Sequence, residues 1–513
     1  MADNDQRSGS SEKESQGQEG VMDKRGVSRP MAEMPMDSEG DDGGSHDMSR
    51  EQRLEMLHKH HKNTLWVYWT ILLIGVWLLL APATFGYNKG LVTPGGGREV
   101  WLTMSQRITA MTWSDIISGV LLIIFGWRSL RPNRPVSLWI CCGVGVWVTL
   151  APVLFWAPTA AAYLNGTITG ALLIALTILI PGMPNMIMYM KMGGSMPPGW
   201  TYNPSNWPQR WIMIATGFAG WLVSRYLAAF QLGYIESIWD PFFGSGSRQV
   251  LNSDMSHMWP ISDGALGAVS YTFEFLMGFM GSPARWRTMP WMVAIFGILV
   301  IPLGLTHIIL VISQPLVVGH WCTMCLLAAA IMLPMIPLEV DEVVAMVQHV
   351  VQRVRRGESF WRVFWKGGSA EDSGQEKDSP ALMELPEHPW KVFVESIRGM
   401  SFPWTLNLCA VLGILLMFVP TIFGVDKPAS DVFHFGGALV ITVSVIAMGE
   451  VVRTARYLDV LLGLGLAILP WVFAPGNIAA NLAGVALGGA VVLLCLPMGQ
   501  QTESYGTWDP YVR

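Results

Sequence analysis

Trp321-Cys322-Thr323-Met324-Cys325 runs straight into the apolar string Leu326-Leu327-Ala328-Ala329-Ala330-Ile331-Met332-Leu333. The stretch places a C-x-x-C pair at the head of a helix apolar enough to cross a bilayer. Cysteines three residues apart on a helix stand one turn from each other, close enough to close a disulfide and open it again. Such a pair carries two electrons, and in a membrane it can meet a lipid-soluble substrate.

Composition agrees with a lipid solvent. Of 513 residues, 51% are hydrophobic and 14% charged, with 24 Trp and 31 Met, and the mean hydropathy is +0.38. Such a chain is an integral membrane protein, not a nucleic-acid binder. Apolar runs of spanning length fall near 65–86, 108–128, 136–156, 163–182, 208–232, 264–282, 289–313, 317–337, 403–424, 432–450, 456–474 and 477–497. The expected fold is all-α and polytopic, with about twelve transmembrane helices.

Positive charge orients the spans, because cytoplasmic loops keep Lys and Arg. With the N-terminus inside, the inner loops hold Arg128, Arg131 and Arg134, then Lys191 and Arg210, Arg285 and Arg287, and Arg453 and Arg456. The outer loops are poorer: Lys89, Arg98 and Arg107 share the first, Arg248 lies in the third and Lys427 in the fifth. Both termini are therefore expected in the cytoplasm, with Cys322 and Cys325 near the outer leaflet. In a bacterial inner membrane that is the periplasmic side, where disulfides persist.

Residues 1–62 form a polar tail with twelve acids against six bases before residue 51, expected to be disordered, and without the apolar core of a signal peptide. His58, His60 and His61 read as its interfacial flank, and no metal site is assigned. Within 63–200 and 401–500 the chain repeats one helix-pair unit, four copies in all. The first helix of each copy carries Gly seven residues before Pro, at Gly75 and Pro82, Gly145 and Pro152, Gly413 and Pro420, and Gly463 and Pro470. The second carries Gly119, Gly170, Gly437 or Gly484. Small residues let helices pack closely in lipid. These units resemble the SPW-repeat membrane family, although only Leu469-Pro470-Trp471 comes near the Ser-Pro-Trp string.

The block 205–340 lacks the repeat and has its own order: a helix, a long outer loop, two helices, and a fourth that opens with the cysteine pair. Its loop reads Trp239-Asp240-Pro241-Phe242-Phe243-Gly244, then Val250-Leu251-Asn252-Ser253-Asp254, and leads into Gly267-Ala268-Val269-Ser270-Tyr271. These strings and the C-x-x-C on the fourth helix resemble the vitamin K epoxide reductase family. The resemblance implies a four-helix bundle in which the second cysteine, Cys325, faces a quinone (ubiquinone or menaquinone) and the first, Cys322, exchanges disulfides with a periplasmic thioredoxin-fold protein. It also implies quinone contacts at Ser253, Asp263, Tyr271 and Trp321.

Three positions depart from the family pattern. The loop from Gly233 to Gly264 has no cysteine, where the family usually carries two, and Ser247 stands near the place of the second. Asp263 stands where some members hold Asn, as a proton donor or a helix cap, and Ala329 where some hold Tyr. His320, two residues before Cys322, would favour its thiolate if protonated and close, or is simply an interfacial His. Arg225 and Glu274, inside apolar runs, are expected to pair. His307 reads as a core histidine or a pocket lining. Cys141, Cys142, Cys409 and Cys495 fall within other spans and read as small packing residues.

After the fourth helix, residues 341–400 turn polar. Val343, Val344, Val347, Val350, Val351 and Val354 at helical spacing, followed by Phe360-Trp361-Arg362-Val363-Phe364-Trp365-Lys366, suggest a segment on the inner leaflet, and 367–386 a linker. A short cytoplasmic tail follows from 501 to 513. The favoured function is thiol:quinone oxidoreduction. The alternative is a membrane scaffold or assembly partner that kept the bundle, with Cys322 and Cys325 as a structural disulfide. A transporter is the third reading, weakened by the scarcity of charges inside helices beyond the central block.

Overall fold

The computed structural model describes residues 50–132, 134–179, 195–369 and 388–512, and among these the protein is helical throughout, its only β pairings being isolated bridges. Eleven helices are long and apolar enough to span a membrane. The helices that follow the apolar runs are α1 (Leu65–Thr84), α2 (Met104–Ser129), α3 (Pro135–Leu154), α4 (Ala160–Leu179), α5 (Trp207–Gln231), α6 (Asp263–Gly278), α7 (Pro290–Val317), α8 (Thr323–Arg355), α9 (Trp404–Phe423), α10 (Ala429–Ile446), α11 (Arg456–Phe473) and α12 (Ile478–Cys495). The apolar run near 264–282 forms α6, 16 residues long and packed antiparallel along α5. Pro302 interrupts α7 after Val300, as expected where a ring replaces a backbone donor.

Paired helices touch through glycine. A Cβ on Gly413 of α9 would lie 2.7 Å from the Gly437 carbonyl of α10, and one on Gly437 would lie 2.6 Å from the Gly413 carbonyl. Gly75 and Gly119 join α1 to α2 in the same way, and Gly145 and Gly170 join α3 to α4. Between α11 and α12 the reciprocal partner of Gly463 is Gly488, while Gly484 faces the Leu466 carbonyl and the ring of Phe433. The approach maximises van der Waals contact where lipid offers no hydrophobic driving force.

Three expectations about the polar segments change. Residues 50–62 of the polar tail lie in a helix, Arg50–Asn63, and residues 1–49 lie outside the described residues. The segment from 340 onward continues α8, a helix of 33 residues and so about 50 Å long. One side of its C-terminal half is core, with Val344, Ala345, Met346 and Val350 packed with Trp200, Trp286 and Tyr505, while Val347, Val351 and Val354 stay exposed. The basic aromatic string forms the separate helix Phe360–Lys366, and 370–387 of the linker lie outside the described residues. Third, the C-terminal tail is built into the fold. Glu450 accepts hydrogen bonds from Thr502 N at 3.0 Å, Thr502 Oγ1 at 2.8 Å and Tyr505 Oη at 3.1 Å, and Tyr505 and Val512 are fully buried.

This end of the central bundle is held by charge. Arg285 Nε donates to Glu342 Oε1 at 2.6 Å, and both side chains are 2% exposed. Arg285 also caps the end of α6 through the Met277 carbonyl at 2.8 Å, and Arg210 reaches the Gly281 carbonyl at 2.7 Å. A buried ion pair of this kind is costly to form, and costlier to leave half-made.

Candidate redox site at the head of α8

Cys322 is the N-cap of α8, in extended backbone with φ −114° and ψ 113°, and its sulfur accepts the Cys325 N–H at 3.2 Å. The cap leaves the chain extended on one side and helical on the other, which brings the two Cα atoms to 5.2 Å, and the sulfurs are joined in a disulfide. The pair sits in an apolar cluster with Leu227 and Phe230 of α5, Val250 and Leu251 of the loop between α5 and α6, and Val311 of α7. Cys325 is 7% exposed and Cys322 not at all.

The loop between α5 and α6 closes over the pair through Asp240. Its carboxylate accepts Thr323 Oγ1 at 2.5 Å, Ser247 N at 2.7 Å and Phe243 N at 3.0 Å, while Ser247 Oγ accepts the Thr323 N–H at 3.1 Å. Burial opposes charge on Asp240, but the bonds from Thr323, Ser247 and Phe243 outweigh it and hold the carboxyl down at about 2. Ser247, fully buried, therefore touches the residue next to Cys322. The sequence marked Ser247 only by position, and Asp240 only as part of the loop string, without a role. The available signal was Asp240-Pro241 with Gly244, a turn pair closed by a glycine at φ +62°.

Trp321 lies between two rings, stacked on Phe243 with centroids 6.2 Å apart and edge-on to His434 of α10 at 5.0 Å. His434, from outside the four-helix block, had no sequence signal. Tyr271 is 2% exposed, packs over Gly220 of α5 and donates to the Ala328 carbonyl at 3.3 Å, one turn along α8 from Cys325. Ser253 and Asp263 have other hydrogen-bond partners: Ser253 Oγ donates to Val250 O at 2.7 Å, and Asp263 accepts from Gln231 and from Gly264 N at 2.9 Å. The α6 cap is Ser262, whose Oγ accepts Ala265 N at 3.1 Å, and Asp263 is the residue after it. His320 is half-buried on the approach to Trp321, and His307 half-buried within α7.

Arg225 and Glu274 do not pair. Arg225 Nη1 donates to Thr167 Oγ1 of α4 at 2.8 Å, and its guanidinium lies over Trp221 at 4.9 Å and Tyr163 at 5.3 Å. Glu274 is fully buried, and neither carboxylate oxygen has a hydrogen-bond partner. The antiparallel register of α5 and α6 explains this. Ser224 faces Gly267, Gly220 faces Tyr271 and Gly217 faces Phe275, so Glu274 lies level with residue 218, seven residues and about 10 Å along the axis from Arg225.

The cluster thus combines a dithiol pair at a helix cap, an apolar shell from three helices and a loop clasp. Residues 211–340 match the model of the Vitamin K epoxide reductase family. The match spans 130 of the 513 residues, from α5 into α8, and takes in the loop clasp, Tyr271 and both cysteines. No curated protein and no solved structure matches the chain. The matched block thus ends just before Asp341 and Glu342 of α8, and His434 lies beyond it.

Proposed function

We propose that this protein is a membrane thiol:quinone oxidoreductase whose redox centre is Cys322 and Cys325. The observation that carries the reading is the bonded pair in the first turn of a bilayer-length helix, inside the block that matches a quinone-linked family. In the forward step, the Cys325 thiolate adds to an electrophilic carbon of the quinone. The Cys322 thiolate then attacks Cys325 Sγ, forming the S–S bond and releasing quinol, which carries away two electrons and two protons. A thiol protein restores the pair by exchange at Cys322. Ubiquinone or menaquinone is the substrate class, Tyr271 and Trp321 flank the headgroup, and a periplasmic thioredoxin-fold protein is the electron donor. The loop charges support the matching orientation in a bacterial inner membrane, with the cysteines outside and both termini inside.

A specific observation favours the scaffold reading as well: Cys322 is fully buried, and Ser247, which bonds its neighbour Thr323, stands near where the family usually carries a loop cysteine. On the redox reading the Asp240 clasp must open to admit the partner. Single-turnover mixing separates the two. The reduced protein is mixed with a soluble quinone and quinol formation is followed by absorbance. One quinol per protein, lost in Cys325→Ser, supports the reductase, and no quinol from a fully reduced pair leaves the scaffold.

A further inference from the structure

A second pair of thiols is in contact far along the chain from the reductase block. Cys409 of α9 and Cys495, the last residue of α12, place their sulfurs 3.4 Å apart, both fully buried and both free. Both lie in the apolar core of the C-terminal helices, as packing residues do, but a buried carboxylate and guanidinium join them there. Cys495 Sγ donates to Asp459 Oδ2 of α11 at 3.8 Å, and the same oxygen accepts Ser444 Oγ of α10 at 2.8 Å. Asp459 Oδ1 has no hydrogen-bond partner. Arg456 donates Nε to the Cys495 carbonyl at 2.8 Å and Nη2 to the Leu494 carbonyl at 3.1 Å, while its Nη1 has no partner. Asp459 and Arg456 are both 0% exposed. Burying a carboxylate and a guanidinium beside two small apolar side chains costs free energy that packing does not return. It provides a proton acceptor at one sulfur and a positive charge behind it.

We propose that Cys409 and Cys495 are a second redox-active dithiol, oxidised by a small peroxide to a disulfide that joins α9 to α12. Cys495 passes its proton to Asp459, and the thiolate attacks one oxygen of hydrogen peroxide. The O–O bond breaks, the sulfur becomes a sulfenic acid, and the departing hydroxide takes the proton from Asp459 and leaves as water. Cys409 then attacks that sulfur. The S–S bond forms, and the thiol proton leaves with the sulfenic hydroxyl as a second water, so two thiols and one peroxide give one disulfide and two waters. A peroxide is small enough to reach the last turn of α12, where the next residue, Leu496, is 53% exposed. The bridge links the first and last helices of the C-terminal four, which already pack against each other.

The test uses the full chain in detergent, reduced, freed of reductant, and exposed to graded hydrogen peroxide before denaturation, alkylation and peptide mass spectrometry. Peptide resolution keeps this pair distinct from Cys322 and Cys325, so the result does not depend on the quinone chemistry. The expected result is joint loss of alkylation at Cys409 and Cys495 with recovery of their cross-linked peptide, at doses that leave Cys141 and Cys142 free. In Cys409→Ser, Cys495 should stop at the sulfenic acid and be trapped by dimedone, and in Asp459→Asn oxidation should slow by at least about tenfold. Oxidation no faster than that of Cys141 and Cys142 in the unmutated protein overturns the proposal, as does a cross-link that forms at the same rate in Asp459→Asn.

Discussion

Removing the Asp240 carboxylate should open the loop over Cys322 without touching either sulfur. The side chain accepts three hydrogen bonds, from Thr323 Oγ1, Ser247 N and Phe243 N. A fully buried bond to a charged group is worth about 1.5–3 kcal/mol. This carboxylate is partly open to water, so each bond is discounted to roughly 0.5 kcal/mol. Together they favour the closed loop by about 1.5 kcal/mol, a factor of about ten in the open population. Because Cys322 is fully buried, a bulky reductant reaches the disulfide only through the open state. Asp240→Ala should therefore speed reduction of Cys322–Cys325 by a water-soluble phosphine about tenfold, read by alkylation and mass spectrometry over time. The pH dependence has a definite sign. The carboxyl titrates near 2 in the closed loop and near about 4 when released, so the clasp is at full strength above about pH 4 and weakens as pH falls toward 2. The unmutated protein, corrected for the phosphine's own titration, should gain reducibility in that window, and Asp240→Ala should not. An unchanged or slower rate in Asp240→Ala would refute the clasp.

Other expectations follow from individual contacts. Glu342→Gln leaves the fully buried Arg285 without its counter-charge and should cost about 3–5 kcal/mol, seen as a large drop in thermal unfolding temperature in detergent. Gly413→Val drives a side chain into the Gly437 carbonyl, which a Cβ alone would approach to 2.7 Å, and should cost about 1–3 kcal/mol, whereas Gly143→Val, with nothing within 4 Å, should melt as the unmutated protein does. Ser247→Cys in a Cys325→Ser background should trap a disulfide with Cys322, visible as a cross-linked peptide, because the Ser247 hydroxyl already touches Thr323 N at 3.1 Å. Exchanging the charges of Arg225 and Glu274 should rescue neither single mutant in thermal melts, since the two side chains have different neighbours.

The spans were legible because hydrophobic length is a property of the residues themselves. α6 ends earlier than its apolar run because Phe279 through Ser282 leave the helix and Arg285 and Arg210 hold the carbonyls at its end. The cysteine pair was legible because its spacing alone sets a turn of helix. What surrounds it was not. Asp240 meets Thr323 across 83 residues, and Trp321 meets His434 across more than a hundred, contacts that no local pattern encodes. The Arg225 and Glu274 expectation failed for a related reason: depth counted from helix ends ignores the register of α5 against α6, which Gly220 and Tyr271 fix by shape. The valines of the C-terminal half of α8 were legible as an amphipathic stripe, and Val347, Val351 and Val354 are exposed. The cover over Val344 and Val350, which includes Tyr505 of the tail, was not legible, because that tail is polar in sequence.

The most direct test of the central claim is the state of Cys322 and Cys325 before and after quinone. The purified protein is reduced, cleared of reductant and alkylated with and without ubiquinone or menaquinone, and the two cysteines are read by mass spectrometry. The account predicts quinone-dependent loss of both free thiols, abolished by Cys325→Ser. A pair that resists reduction even in Asp240→Ala, or that stays reduced in the presence of quinone, would contradict it and leave a structural disulfide in a membrane scaffold.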